Sequence, residues 1–250
     1  MSSVTAVPDS TDSPAPGADD LALELRAVQA AYGTITVLRG VDLAVPYGSL
    51  VALLGPNGGG KSTALRVIAG QIAVTAGDVF VAGRRITGAP PDELARRGVC
   101  LIPEGRGVFP NLSVRENLWM ATHTGASLAT IEEIAYARFA PLGQRRRQLA
   151  GTLSGGEQQM LAMARALATD PALLLLDELS MGLAPIVVEQ LYEIVGQVAK
   201  EGVSIVVVEQ FARTILGIAD WVGIMLRGRI STFGTPAEVE PELLTAYLGE

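Results

Sequence analysis

The sequence predicts an α/β fold: a mostly parallel sheet, preceded by antiparallel strands and interrupted by a helical insertion. Three observations carry this expectation. Apolar runs of strand length, Ser49–Leu54, Val99–Ile102, Leu173–Asp177, Val203–Glu209 and Trp221–Met225, are spaced by stretches with helical patterning. That order buries parallel strands between helices. Leu21–Ala30 and Val41–Val45 alternate apolar with polar or small residues instead, as half-buried antiparallel strands do. From Ser113 to about Ala168 the strand texture disappears and helical stretches follow one another.

Taken in order, Ser49–Leu54 leads into a Gly-rich turn and a helix that runs through Ala69, a strand–loop–helix unit. Strand Val99–Ile102 stops at Pro103. Ser113-Val-Arg-Glu116 has the spacing of a capping box, so a helix starts there. Thr130–Ala137 and Glu157–Leu167 read as further helices. The α/β rhythm then resumes with strand Leu173–Asp177, helix Ile186–Lys200, strand Val203–Glu209, helix Phe211–Ile218 and strand Trp221–Met225. Leu226–Arg229 reads as a turn and Glu242–Leu248 as a closing helix, with no internal repeat.

Composition narrows the function classes. In 250 residues, 49% are hydrophobic and 18% charged, which excludes a disordered or fibrous chain. The mean hydropathy of +0.35 raises a membrane reading. No stretch approaches the roughly 18 consecutive apolar residues of a spanning helix, so the chain is not expected to cross a bilayer. A net charge of −7 argues against nucleic acid as the main partner, because neutralising phosphates needs clustered Lys and Arg. The one basic run, Arg145–Arg147, is expected on a solvated face or loop. Cys100 is the only cysteine and sits in an apolar run, as a small buried hydrophobe would. His123 is the only histidine, which disfavours a Ser/His/Asp triad. Residues Met1–Asp20 are rich in Ser, Asp, Pro and Ala and carry no Lys or Arg. They are expected to form a disordered tail, leaving 21–250 as one domain of a cytoplasmic protein.

Two motifs carry phosphate chemistry. Gly55-Pro56-Asn57-Gly58-Gly59-Gly60-Lys61-Ser62-Thr63 fits GxxxxGK[ST] between a strand and a helix. Glycines let the backbone curl until its N–H groups face phosphate oxygens, and the helix N-terminus adds partial positive charge. Lys61, one of only two lysines in the chain, is placed to reach the β- and γ-phosphates, and Ser62 to ligate Mg²⁺. The second motif is Leu173-Leu-Leu-Leu-Asp177-Glu178, a buried strand that delivers two adjacent carboxylates. Asp177 is expected to hold Mg²⁺ and Glu178 to act as general base on the attacking water. Together the motifs define a P-loop NTPase that uses Mg²⁺.

Ahead of Asp177 lies Leu153-Ser154-Gly155-Gly156-Glu157-Gln158-Gln159, whose Ser and two glycines open a helix as a second phosphate-binding surface. This segment resembles the signature motif of the ABC ATPases, and the resemblance extends over roughly Leu21 to Gly249. It implies a RecA-like core with an antiparallel β strip and a helical subdomain at about 104–168. It further implies that Ser154, Gly155, Gly156 and Glu157 serve the nucleotide of a second cassette, with ATP sandwiched between the two. Tyr32 falls where the family stacks an aromatic on adenine. Ser180–Pro185 falls where a loop meets the opposite subunit. Glu104 takes the place of the usual Mg²⁺-ligating Gln, Gln210 that of the usual γ-phosphate His, and Leu179 that of a usual Pro. Gln210 can donate a hydrogen bond but cannot become cationic.

These departures, with Gly182–Pro185 and Ala246–Gly249, resemble the ATP-binding subunits of branched-chain amino acid importers. The resemblance implies a second, non-identical ATPase, membrane permease subunits and a substrate-binding protein as partners, and a place at the cytoplasmic face of the membrane. Urea or short-amide importers share most of these features. A cytosolic ABC scaffold, as in iron–sulfur assembly, is the reading from another class. Glu104–Leu112, with Val108, Phe109 and Leu112, is expected to line the groove that receives a permease helix, although Phe109 alone also suits a local core.

Overall fold

The computed structural model describes residues 20–105, 107–210 and 212–248. The expected tail, apart from Asp20, lies outside the described residues, as do Arg106, Phe211 and Gly249.

The chain opens on β1 (Leu21–Tyr32), β2 (Ile35–Pro46) and β3 (Leu50–Leu54), followed by α1 (Lys61–Ile68). Next come β4 (Val74–Val81), β5 (Arg84–Arg85), α2 (Pro91–Arg96) and β6 (Val99–Ile102). The insertion holds α3 (Val114–Trp119), a 3-10 turn at Met120–Thr124, α4 (Leu128–Arg138), α5 (Ala140–Gln144) and α6 (Gly155–Leu167). The chain closes with β7 (Leu173–Asp177), α7 (Pro185–Lys200), β8 (Ser204–Glu209), α8 (Ala212–Leu216), β9 (Trp221–Leu226), β10 (Arg229–Gly234) and α9 (Pro236–Leu248).

Two sheets result. The antiparallel one has the order β2-β1-β4-β5, and the larger one β10-β9-β3-β8-β7-β6. From β9 to β6 every pairing in the larger sheet is parallel, while β10 is an antiparallel edge. All five residues of β3 are buried, as a strand covered on both faces requires. Its side chains nevertheless divide by the strand period: Leu50, Ala52 and Leu54 join one core, Val51 and Leu53 the other. The first core takes in the insertion through Leu118, Ile131, Phe139 and Leu142. The second fills the space between the two sheets and α1.

This strand order determines where chemistry can occur. With β8 between β3 and β7, the segments leaving the carboxyl ends of β3, β8, β7 and β6 emerge side by side. The outside of that carboxyl edge is where open parallel sheets bind ligands.

The expected capping box at Ser113 and Glu116 is present. Strands β4, β5 and β10 and helices α2 and α5 were not anticipated. Each is short or one-sided; β10 alternates exposed and half-buried residues up to Gly234 and gives no apolar run. Helix α9 starts six residues before the expected Glu242, with Pro241 inside it. The signal for the earlier start is Thr235-Pro-Ala-Glu238, in which the Glu238 carboxylate accepts from both the Thr235 N–H and its hydroxyl. Cys100, expected to be buried, is half-buried beside a groove.

The expected turn at Leu226–Arg229 is a hairpin turn with Arg227 (φ 48°) and Gly228 (φ 80°) both left-handed. It ties down the segment after β3: the Gly228 N–H donates to Gly59 O at 2.8 Å, and Gly228 O accepts from the Arg39 N–H at 2.8 Å. A Cβ at Gly228 would lie 1.9 Å from Val37 O. Gly228→Ala is therefore expected to cost about 2–3 kcal/mol, a fall in Tm of roughly 5–10 °C by calorimetry. An unchanged Tm would mean that this turn yields without strain.

Candidate functional site

The loop leaving β3 is shaped by close packing against β9. At Gly55 (φ 146°) a Cβ would meet Met225 O at 2.2 Å, so only glycine fits. Gly60 (φ 104°) precedes α1 in a left-handed conformation and supplies no side-chain cap. The first-turn N–H groups of α1 thus lack a side-chain partner, the arrangement that favours an anion at a helix start. Pro56 is half-buried, Asn57 and Gly58 are exposed, and Gly59 and Thr63 are buried.

Lys61 is only 4% exposed and donates to Gly55 O at 2.9 Å and Pro56 O at 3.2 Å. Burial pushes its pKa down, while Glu178, Asp177 and Glu209 oppose that shift. The Ser62 hydroxyl donates to Asp177 Oδ1 at 2.8 Å, which joins the two motifs directly. Asp177, at 2% exposure, has its pKa raised by burial and partly restored by the Ser62 bond. Glu178 is half-buried at φ 48°, and its N–H donates to Val208 O at 2.9 Å. Burial raises its pKa first, Lys61 opposes this, and the charges of Glu104, Asp177 and Glu209 add to it.

Glu104 is exposed on the segment leaving β6, and its charge is felt at both Asp177 and Glu178. Gln210 is half-buried directly after β8. Tyr32, 45% exposed, ends β1, and its hydroxyl accepts from Arg66 Nη1 at 3.5 Å. Arg66 escaped the sequence reading, yet its charge also lowers the pKa of Asp177. Its place on α1, four residues after Ser62, was the available signal.

Ser62, Asp177 and Glu104 offer only oxygen donors, which suits a hard divalent cation. Among the described residues no group of three or more His, Cys, Asp and Glu could hold a metal ion. A cation here would therefore complete its shell with water and phosphate oxygens, as Mg²⁺ commonly does.

Ser154 is exposed at the start of α6, where it forms a capping box with Glu157. Glu157 Oε2 accepts from the Ser154 N–H at 2.9 Å, and Glu157 Oε1 pairs with Arg145 at 2.9 Å. The run lies in a turn as expected, with Arg146 and Arg147 exposed, while Arg145 is half-buried by its pairing with Glu157 and Arg146 stacks over Tyr136. Gly156 is buried because a Cβ there would lie 2.4 Å from Val187 Cγ1 on α7. Among the described residues, no hydrogen bond or ion pair joins Ser154, Gly155, Gly156 or Glu157 to Lys61, Ser62, Asp177 or Glu178.

Comparison with known proteins agrees with this geometry. A sequence model of the ABC transporter family matches residues 38–180. The high-affinity branched-chain amino acid transport ATP-binding protein BraG of Pseudomonas aeruginosa is 40% identical over 232 residues, covering 91% of this chain and 99% of that protein. The probable branched-chain amino acid transport ATP-binding protein LivF of Archaeoglobus fulgidus is 37% identical over 220 residues, covering 86% and 93%. Among solved structures, the ADP conformation of MJ1267, an ATP-binding cassette of an ABC transporter, superposes with a TM-score of 0.80 at 26% identity, covering 92% and 99%. The chain belongs to the ABC transporter family. Within it, this is a nucleotide-binding cassette, an ATPase subunit.

Lys61→Ala removes the cation of the loop. ATP affinity by calorimetry is expected to fall at least about 30-fold, the equivalent of roughly 2 kcal/mol for a charge-assisted bond. Binding within twofold of the native protein would remove Lys61 from the phosphate site.

Proposed function

We propose that the chain hydrolyses MgATP at Gly55–Thr63, Asp177 and Glu178, and so energises a branched-chain amino acid importer from the cytoplasmic face of the membrane. The 40% identity with BraG, spanning 91% of this chain and 99% of that protein, is the observation that supports the substrate. By contrast, an Fe(3+) import protein of Rhodococcus jostii is 36% identical, but the chain covers only 63% of its length. No helix among the described residues is long and apolar enough to cross a membrane, so transport needs permease subunits in other chains.

In this reading the loop N–H groups and Lys61 bind the β- and γ-phosphates, and Tyr32 offers its exposed ring to adenine. Ser62, Asp177 and Glu104 hold magnesium, which when bound neutralises phosphate charge. Glu178 accepts a proton from the attacking water; its burial-raised pKa suits a base. Gln210 donates a hydrogen bond to the γ-phosphate. Ser154, Gly155, Gly156 and Glu157, unattached to this chain's own site, serve the nucleotide of a second, non-identical cassette. The permease and a substrate-binding protein complete the assembly.

A groove of about 360 Å³ between the core and the insertion, residues 104–168, is the proposed seat of the permease. Its lining includes Cys100, Pro103, Gly107, Met120, Ala162 and Arg165. Phe109 is 42% exposed rather than part of a local core. The Arg165 guanidinium stands 4.7 Å above its ring and donates to Gly107 O at 2.6 Å. Phe109 is thus a surface anchor at the groove rather than one of its lining residues.

Glu178→Gln is expected to bind ATP normally while kcat falls about a hundredfold or more. In assemblies with one Ser154→Ala cassette, the hydrolysis lost should be that of the site opposite. Deletion of the gene should abolish uptake of labelled leucine and spare urea; the reverse pattern would overturn the substrate assignment.

A further inference from the structure

Glu209, the last residue of β8, buries a carboxylate at 1% exposure just beside the site. Nothing in the phosphate chemistry above uses it. Among the described residues three hydrogen bonds reach its side chain, all from groups outside its own strand. Oε1 accepts from the Ser180 N–H at 3.0 Å and from the Tyr192 hydroxyl of α7, and Oε2 accepts from the Ser180 hydroxyl at 2.7 Å. Three donors pointing at two oxygens suit an acceptor-only carboxylate. A buried charge left without them would be strongly destabilising.

The position of this carboxylate matters more than its burial. In register, Glu209 lies opposite Leu54, the last residue of β3 before the phosphate loop. Its neighbour Val208 pairs with Asp177 and accepts from the Glu178 N–H at 2.9 Å. Its other neighbour is Gln210. Ser180 follows Glu178 by two residues, in a segment that leaves β7 with Glu178 in a left-handed conformation. A non-glycine residue at φ 48° is held by its surroundings rather than by its own preference. Side-chain bonds hold the chain around it at three points: Ser62 to Asp177, Gln159 to Leu179, and Glu209 to Ser180, the last tied through both N–H and hydroxyl.

We propose that Glu209 is a positioning residue for hydrolysis, clamping the Glu178–Ser180 segment against the end of β8 so that Glu178 and Gln210 are held in fixed relation. Tyr192 orients the clamp from α7, the helix whose Val187 also packs against Gly156 at the start of α6. Movement of α6 or α7 would therefore reach the base through this carboxylate. The inference rests on the proposed role of Glu178 and adds a residue that acts through it.

Glu209→Gln keeps the shape and removes the charge; Ser180→Ala and Tyr192→Phe each delete one donor. Measured on the full chain in the assembly that shows native turnover, Glu209→Gln is expected to lower kcat about tenfold or more with ATP affinity within about twofold. Ser180→Ala should lower kcat in the same way. Combining it with Glu209→Gln should lower kcat no further, because both act on one contact. Val206→Ala, in the buried middle of the same strand, should lower Tm but not kcat, separating a packing defect from a positioning one. Should Glu209→Gln fold poorly, the two single-donor variants decide. Native kcat in all three, or additive losses in the double variant, would overturn the proposal. Glu178→Gln separates the two layers: if it too keeps native turnover, the role given to Glu178 has failed. If it is inactive while the clamp variants are native, only the clamp has failed.

Discussion

A lysine charge taken almost wholly out of solvent is the constraint around which this site is arranged. An isolated ammonium in such a place would lose its proton or be expelled. Lys61 stays because two carbonyls of its own loop accept from it and because Asp177, Glu178 and Glu209 surround it with negative charge. Those carboxylates have the converse problem, since burial pushes Asp177 and Glu178 towards their neutral forms while Lys61 draws them back. Cation and acids therefore stabilise each other's charged states, and neither set would be well placed alone. What brings them together is the strand order, which sets β8 between β3 and β7 and opens all three on one edge.

The insertion adds a second, differently built surface. Ser154 opens α6 with its hydroxyl and N–H committed to Glu157, and Arg145 holds Glu157 from outside. That helix start is capped by its own residues and exposed at Ser154. Its connection to the core runs through packing, with Gly156 against Val187, and through Gln159, whose Nε2 donates to Leu179 O at 3.3 Å. Leu179, in the position where relatives of this class were expected to have proline, is itself buried at 1%. The loop after β7 is thus gripped from two directions, by α6 at Leu179 and by Glu209 at Ser180.

Much of this was legible in the sequence because the signals were local. The runs that became β3, β7 and β8 are apolar apart from Ser204 and the terminal Asp177 and Glu209, which marks strands buried on both faces. The phosphate loop and the acidic pair announced themselves by spacing, and Ser113 and Glu116 by a cap. Strands β4 and β10 were missed because neither is an apolar run: Thr75, Gly77 and Asp78 interrupt β4, and β10 alternates exposed and half-buried residues. The Glu209 clamp was missed for a different reason: its partners lie 29 and 17 residues away, and only the fold assembles them. Even so, Tyr192 lies on the apolar stripe of α7 with Val188, Leu191 and Val195. A phenol hydroxyl on a buried stripe needs an acceptor, and that was a usable clue.

The central claim is that the chain binds its own nucleotide but completes hydrolysis with the Ser154 surface of another cassette. The most direct test is the specific ATPase rate per chain as a function of protein concentration, with ATP saturating throughout. The account predicts a rate that rises with concentration from near zero in dilute protein to a plateau, and a plateau that rises again when partner cassette and permease are supplied. A specific rate that stays constant down to concentrations at which the chain is monomeric would contradict it.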